Sequence, residues 1–353
     1  MAKTELSSYT STAPSSRRRQ SSSCRQAPVR RAPDAVSVDD LKTFSEQWVF
    51  DGESRHLSPR TLGFREDLSR KLLWWLNREG HSVCGPNEMR GFLAYINTGH
   101  KEPGGRWGNP RMTRPVRPGT TKTYYITLTT LFSYLVEQGV CEESPMDSIR
   151  PPAHRPDQIV PFTPEQADAL LQAARRGPHP RRDEAIVLFL LDTGVRASEV
   201  CDLTVGDTDM QARNCRVLGK GNKHRMVWFG METRKALWRY LQEDPRESPA
   251  PLFRSDSGIR AGQSLTRSGL LQFAERLGKA AGVDDCHPHR FRHTFAVEFL
   301  RNGGNTFTLQ QLLGHTSLTM TMRYVALAQA DLENQHRQYS PVQGMTRRTS
   351  RQR

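Results

Sequence analysis

Cysteine is sparse in this chain. Six residues in 353, Cys24, Cys84, Cys141, Cys201, Cys215 and Cys286, are scattered with no CxxC pair. That argues against a disulfide framework and predicts free thiols in a reducing compartment. Cys286, His287 and His289 lack a fourth partner at a recognisable spacing, so no metal is expected. Long apolar runs are missing as well: none approaches the ~18 residues a membrane helix needs. Residues 1–35 contain no apolar segment of the signal-peptide kind. A membrane role is thereby disfavoured and a cytoplasmic location expected. Acidic residues are in deficit, 37 Asp and Glu against 51 Lys and Arg, a formal charge of +14. Such a surplus on an otherwise ordinary globular composition favours a polyanionic partner, nucleic acid before anionic membrane.

The length suggests two domains, at roughly 150 residues each. Residues 1–35 carry Arg17-Arg18-Arg19 and Ser21-Ser22-Ser23 and bury too little to fold alone. A disordered basic tail is expected there. From residue 36 to 149 the period is helical. Leu41, Phe44 and Trp48 share one face; Ser58-Pro59 starts a second helix that Gly80 ends. Met89, Phe92 and Ile96 mark a third, and Tyr124, Leu128, Leu131, Phe132 and Leu135 a fourth. Between the last two, residues 98–119 show no periodicity and read as a long loop. Its cations Lys101, Arg106, Arg111, Arg114 and Arg117 are candidates for DNA backbone contact. Trp74, Trp75 and Tyr125 read better as core aromatics than as stacking platforms for bases.

Residues 150–160, with Pro151, Pro152 and Pro156, form a linker. Beyond it Thr163-Pro164-Glu165-Gln166 is a capping box. Helices are expected over 182–191, 198–203, 231–242, 266–281, 289–300, 309–313 and 319–327. Residues 216–229 alternate around Gly219-Lys220-Gly221-Asn222-Lys223 and read as a β-hairpin. The fold class is mainly α with a small β-hairpin, and residues 331–353 form a basic tail.

One chemistry unites a set of residues in this half. His289 and Arg292, three apart on a helix, share a face and can fork an oxyanion. Arg196 follows Gly194 among apolar neighbours, with Glu199 as a candidate partner. Lys220 stands at the hairpin tip, His315 follows a capping glycine, and Tyr324 lies on the last helix. Taken singly, each has an ordinary structural explanation: an Arg–Glu pair, a solvated turn lysine, a basic helix face, a packed tyrosine. Together, two guanidiniums, two imidazoles and an ammonium can surround a phosphate that a tyrosine hydroxyl attacks.

The set resembles the tyrosine recombinase (phage integrase) family. Thr193-Gly194-Val195-Arg196-Ala197-Ser198-Glu199-Val200 is similar to its first arginine box, and Gly219-Lys220-Gly221-Asn222-Lys223 to its hairpin lysine motif. Pro288-His289-Arg290-Phe291-Arg292-His293-Thr294-Phe295-Ala296 matches its HxxR box. Leu312-Leu313-Gly314-His315-Thr316-Ser317 and then Tyr324 match its terminal box. Two departures are Arg290, where a neutral residue is common, and Trp228, where a proline often follows the hairpin. The resemblance covers residues 162–327 and is closest to two-domain, Xer-like members. It implies a helical, SAM-like core-binding domain (36–149) and a tyrosine recombinase catalytic domain (161–330).

The resemblance further implies a site-specific recombinase working through a 3′-phosphotyrosine intermediate. Tyr324 is then the nucleophile, Arg196 and Arg292 the phosphate clamp, and Lys220 the general acid. His289 and His315 complete the set, with Glu199 in support and no cofactor. It implies double-stranded DNA with an inverted-repeat core site, a homo-tetramer on DNA, and a 331–353 tail packing on a neighbour. Lys122, Lys223 and Arg290 join the loop cations as candidate DNA contacts. A type IB-like topoisomerase and an inactive DNA-binding regulator of the same fold are the alternatives.

Overall fold

Proline acts as a helix starter throughout this chain. In the computed structural model, six helices have proline as their first residue: Pro59, Pro86, Pro118, Pro164, Pro180 and Pro288. A proline there loses no intrahelical bond and is already set at a helical φ. The structure describes residues 34–100, 104–153, 158–219, 223–256, 261–315 and 317–328, with 336, 340 and 342. Most of the expected basic tails, Lys101, Lys220 and the linker's centre lie outside these residues. Two units separate, 1–156 and 157–353.

The first unit holds a two-residue strand β1 (Val36–Ser37) and helix α1 (Val38–Ser54), then α2 (Pro59–Glu79), β2 (Val83–Cys84), α3 (Pro86–Asn97) and α4 (Pro118–Glu137). Ser37 and Ser58 accept from the backbone of the first turns they cap, and Gly80 closes α2 in the left-handed region. The β1–β2 pair was not foreseen; two residues per strand carry no readable alternation. Leu41, Trp48, Leu72, Trp75, Phe92, Ile96, Leu128, Phe132 and Leu135 form the core.

Burying a large apolar side chain is worth ~1.5–3 kcal/mol. Trp75, at 5 % exposure, is therefore committed to the core rather than to a base. Tyr125 donates its hydroxyl to the Ile149 carbonyl at 2.7 Å. Residues 104–119 are more ordered than their composition suggests. The loop's backbone closes on itself through His100 N–H to Thr113 O and on α3 through Val116 N–H to Ile96 O. Trp107 sits at φ 61° on a short 3₁₀ turn. Its ring packs edge-on to Trp74 at 5.8 Å and to Tyr95 at 5.3 Å, which explains why the turn is held.

The second unit runs α5 (Pro164–Arg176), α6 (Pro180–Thr193), α7 (Ala197–Asp202), β3 (Thr208–Asp209), β4 (Asn214–Leu218), β5 (His224–Trp228), α8 (Met231–Glu243), α9 (Arg267–Ala281), α10 (Pro288–Arg301), α11 (Thr306–Leu313) and α12 (Leu318–Ala328). The strands form an antiparallel sheet in the order β3-β4-β5, with Val217 opposite Arg225 and Leu218 opposite His224. The Thr163–Gln166 capping box forms as expected. Helix α11 begins three residues earlier than its pattern suggests. Asn305 caps it by accepting from Phe307 and Thr308 N–H, overriding the weak propensity of Thr306-Phe307-Thr308.

Two hydrophobic clusters meet along α10. Phe291 belongs to the larger, with Phe189, Leu190, Val217, Val227 and Leu270. Ala296, Val297 and Leu300 belong to the smaller, with Leu309, Leu313 and Tyr324. Phe162 N–H donates to the Thr294 hydroxyl at 2.8 Å, which ties the start of this unit to the same helix. Packing α10 from both sides is what gives its polar stripe a fixed place.

Candidate active site

The C-terminal end of α11 organises the site. A helix ends with carbonyls that lack intrahelical partners and carry the negative end of its dipole. Here the last three attract one guanidinium each. Arg225 Nε donates to Leu312 O at 2.8 Å, Arg292 to Leu313 O at 2.7 Å, and Arg196 to Gly314 O at 2.9 Å. Gly314 permits this by turning into the left-handed region at φ 62°; a Cβ there would meet the Arg225 side chain at 3.2 Å. Three distant segments, the α6–α7 turn, β5 and α10, thus converge on one helix end.

One carboxylate counters these cations. Glu199 accepts from the Arg196 side chain at 2.8 Å and from its backbone N–H at 2.7 Å. It also takes both terminal nitrogens of Arg225, at 2.5 and 2.8 Å. Burial alone would raise the Glu199 pKa; the hydrogen bonds and charge of Arg225 and Arg196 reverse that and hold it below its ordinary value. Three guanidiniums against one carboxylate leave an excess of positive charge, the condition an anion needs in order to bind. Arg292 is 2 % exposed and also donates to Gly194 O at 2.8 Å. Desolvation, with Arg196 next to it, lowers its pKa to about 10, so it stays charged at neutral pH.

Around this clamp stand three imidazoles and the tyrosine. His289 and His293 project from successive turns of α10 with rings 4.3 Å apart. His293 Nδ1 lies 2.9 Å from the Tyr324 hydroxyl. His315 Nδ1 lies 2.9 Å from the Thr321 hydroxyl, and its ring is parallel to that of Tyr324 within 9°. Tyr324 itself is 4 % exposed rather than open to water. Desolvation and the surrounding cations push His289 and His315 down to about 4 and His293 to about 3, so all three rings are neutral near pH 7. Burial raises the Tyr324 pKa, against the pull of Arg292, Arg323 and Arg196, so its hydroxyl is protonated.

Of the residues singled out in the sequence, Arg196, Glu199, His289, Arg292, His315 and Tyr324 are gathered here. Lys220 lies outside the described residues. The hairpin that carries it is closed by Gly219 N–H donating to Lys223 O at 2.8 Å. Among the candidate DNA contacts, Arg111, Arg114, Arg117, Lys122 and Lys223 are exposed.

Two of those candidates have guanidiniums engaged inside the protein, and for Arg290 this is a correction. Arg290 is buried at 7 %, with its guanidinium spent on Val160 O, Asp284 O and Gln166 Oε1. It pins the chain ahead of α5 and has no face left for a phosphate. Arg106 is half-buried and donates to Arg114 O at 2.8 Å, bracing its own loop. Both engagements have one cause: a long side chain's direction is set by tertiary packing, which a charge count does not see.

Arg225, His293 and Thr321 were missed. The signals were present but faint. Strand alternation places Arg225 on the inward face with Val227. His293 follows His289 by four residues, on the same helical face.

Comparison with known proteins agrees with this geometry. The phage integrase family model matches residues 161–331. Tyrosine recombinase XerC of Staphylococcus epidermidis is 34 % identical over 212 residues, spanning 58 % of this chain and 70 % of that protein. Tyrosine recombinase XerD of Listeria innocua is 27 % identical over 259 residues, spanning 72 % of this chain and 82 % of its own. In fold, the chain is similar to the Tn1549 transposon integrase in complex with transposon right end DNA. That match has a TM-score of 0.63 at 20 % identity, over 84 % of this chain and 99 % of that one. The motif order, the converged residues and these relatives agree: the chain belongs to the phage integrase family, as an Xer-like tyrosine recombinase.

Proposed function

We propose that Tyr324 attacks a scissile phosphodiester of double-stranded DNA, forming a 3′-phosphotyrosine bond and releasing a 5′-hydroxyl. The Tyr324 Oη–P bond forms as the P–O5′ bond breaks. Because a phosphoryl linkage is retained, the ends can be rejoined to a second strand without an external energy source. Arg196 and Arg292 neutralise the non-bridging oxygens as charge builds in the transition state, where one such group is worth about 10²–10³ in rate. Lys220 gives its proton to the leaving O5′. His289 positions the phosphate beside the nucleophile. His315, with its Nδ1 taken up by Thr321, has Nε2–H to offer a non-bridging oxygen.

The observation that carries this reading is the shared anchorage of Arg196 and Arg292 on the end of α11, beside a buried Tyr324. It supports a pre-formed anion site with one nucleophile in reach. A recombinase is favoured over a topoisomerase or a silent regulator, because the similar proteins bear recombinase names and the reactive set is complete in sequence. We read the substrate as an inverted-repeat core site bound by four copies of the chain.

The test uses nicked duplexes tiled across the DNA flanking the gene. Wild type is expected to give a denaturation-resistant protein–DNA adduct that maps to Tyr324, and Tyr324→Phe none. Equal adduct from both proteins, or an adduct on another residue, would overturn the assignment.

A further inference from the structure

We infer that His293 is a positioning residue for the nucleophile: by accepting the Tyr324 O–H at Nδ1, it turns the oxygen's lone pairs toward the anion site. This rests on the reading of Tyr324 as the attacking group. A phenol oxygen has one proton and two lone pairs. Whichever neighbour takes the proton decides where the lone pairs point. In this structure the neighbour is His293 Nδ1, at 2.9 Å. Burial raises the pKa of this hydroxyl, and the charge of Arg292 draws it back down. The hydroxyl is therefore held between an acceptor and a cation, with its ring steadied by His315.

The acceptor role depends on His293 staying neutral. A protonated ring would donate to Tyr324 and tie up the lone pair needed for attack. Burial is the first cause that disfavours its imidazolium form, and His289, His287, Arg323 and Arg292 act in the same direction. The buried, cation-rich setting thus serves twice: it receives the phosphate, and it keeps His293 an acceptor. Placement on α10 fixes the ring. Its neighbours Arg292 and Thr294 are buried, and His289 packs against it edge-on at 4.3 Å. Thr294 also donates to the Arg290 carbonyl one turn back, at 2.9 Å.

The two side-chain amides separate position from bulk. Asn places its Oδ1 where histidine has Nδ1; Gln places its Oε1 one bond further, where histidine has Nε2. Single-turnover cleavage is measured with full-length protein on the nicked flanking duplex that gives most adduct with wild type. Binding to the same duplex is measured in parallel. His293→Asn is expected to cleave within about tenfold of wild type. His293→Gln and His293→Phe are expected to fall about 100-fold, as misplacement of a reacting group by an ångström does, with unchanged duplex affinity. Thermal melting checks that each variant folds, and the Asn–Gln contrast stands even where Phe does not.

Wild-type rates in Gln and Phe would overturn the inference. So would a loss in Asn as large as in Gln. A wild-type protein that gives no adduct on any duplex counts instead against Tyr324 as nucleophile.

Discussion

At the scale of single residues, this site is governed by unequal charge. Arg196 and Arg225 bind one carboxylate, Glu199, while Arg292 donates to the backbone carbonyls of Gly194 and Leu313. Backbone oxygens hold a guanidinium in place without cancelling its charge, so the clamp remains cationic. Burial first, and the same field with it, keeps the imidazoles neutral, which has a consequence for stability. His289, His293 and His315 all lie below the ordinary histidine value of 6.5, at about 4, 3 and 4. The unfolded chain therefore binds more protons than the folded one between about pH 4 and 6.5. Their contribution is complete above 6.5 and is lost as pH falls through that window. Glu199, held low, adds its own loss only below the ordinary carboxylate range. The DNA-free protein is expected to show a falling thermal midpoint from pH 7 to pH 5. His315→Gln should flatten that fall, and an equal slope in both would contradict the buried neutral imidazole.

At the scale of elements, two glycines close helices beside the site. Gly194 ends α6 at φ 58°, and a Cβ there would lie 2.3 Å from the Phe295 ring. Gly314 ends α11, where a Cβ would meet only the flexible Arg225 side chain at 3.2 Å. Left-handed backbone disfavours an L side chain by ~1–2 kcal/mol at either position. Gly194→Ala adds a ring clash in packed surroundings, so it is expected to be the more destabilising, by about 2 kcal/mol or more in urea unfolding. Gly314→Ala is expected to be milder in stability but harsher on cleavage, because it shifts the arginine lying over Leu312 O. The reverse order in both measurements would show that α11's end does not organise the clamp. These same stops were legible beforehand, as were the proline starts at Pro59 and Pro164, since caps depend on near neighbours in sequence; the starts at Pro86, Pro118, Pro180 and Pro288 lie one or two residues ahead of the expected ones.

At the scale of the whole molecule, the charge of +14 does not act as one patch. Some cations are inside and structural, notably Arg290 and Arg182. Others, Arg111, Arg114, Arg117 and Lys122, are exposed on the first unit. Only the exposed ones can release counterions on binding DNA. The logarithm of the binding constant should therefore fall steeply with log salt, by ~0.9 per phosphate contacted. Replacing Arg111, Arg114 and Arg117 together by Ala is expected to lower that slope by about 2–3, whereas Arg290→Ala should lower the melting temperature and leave the slope alone. An unchanged slope in the triple variant would remove this loop from the DNA interface.

Sequence alone determined the helical class, the boundaries set by caps and glycines, and the motif order that points to a phosphoryl-transfer site. All of these rest on residue type and short spacing, which local physics reads directly. Tertiary structure decided which cations face inward, that Arg225 joins Arg196 on Glu199, and that His293 rather than His289 meets the Tyr324 hydroxyl. It also decided that a loop without periodicity folds onto Trp74 and Tyr95. Arg225 and Glu199 are 26 positions apart, His293 and Tyr324 31, and Arg196 and Gly314 118. Side-chain direction over such separations is fixed only once the cores on both sides of α10 are packed. Direction is what turns a list of basic residues into a clamp with a buried tyrosine beside it.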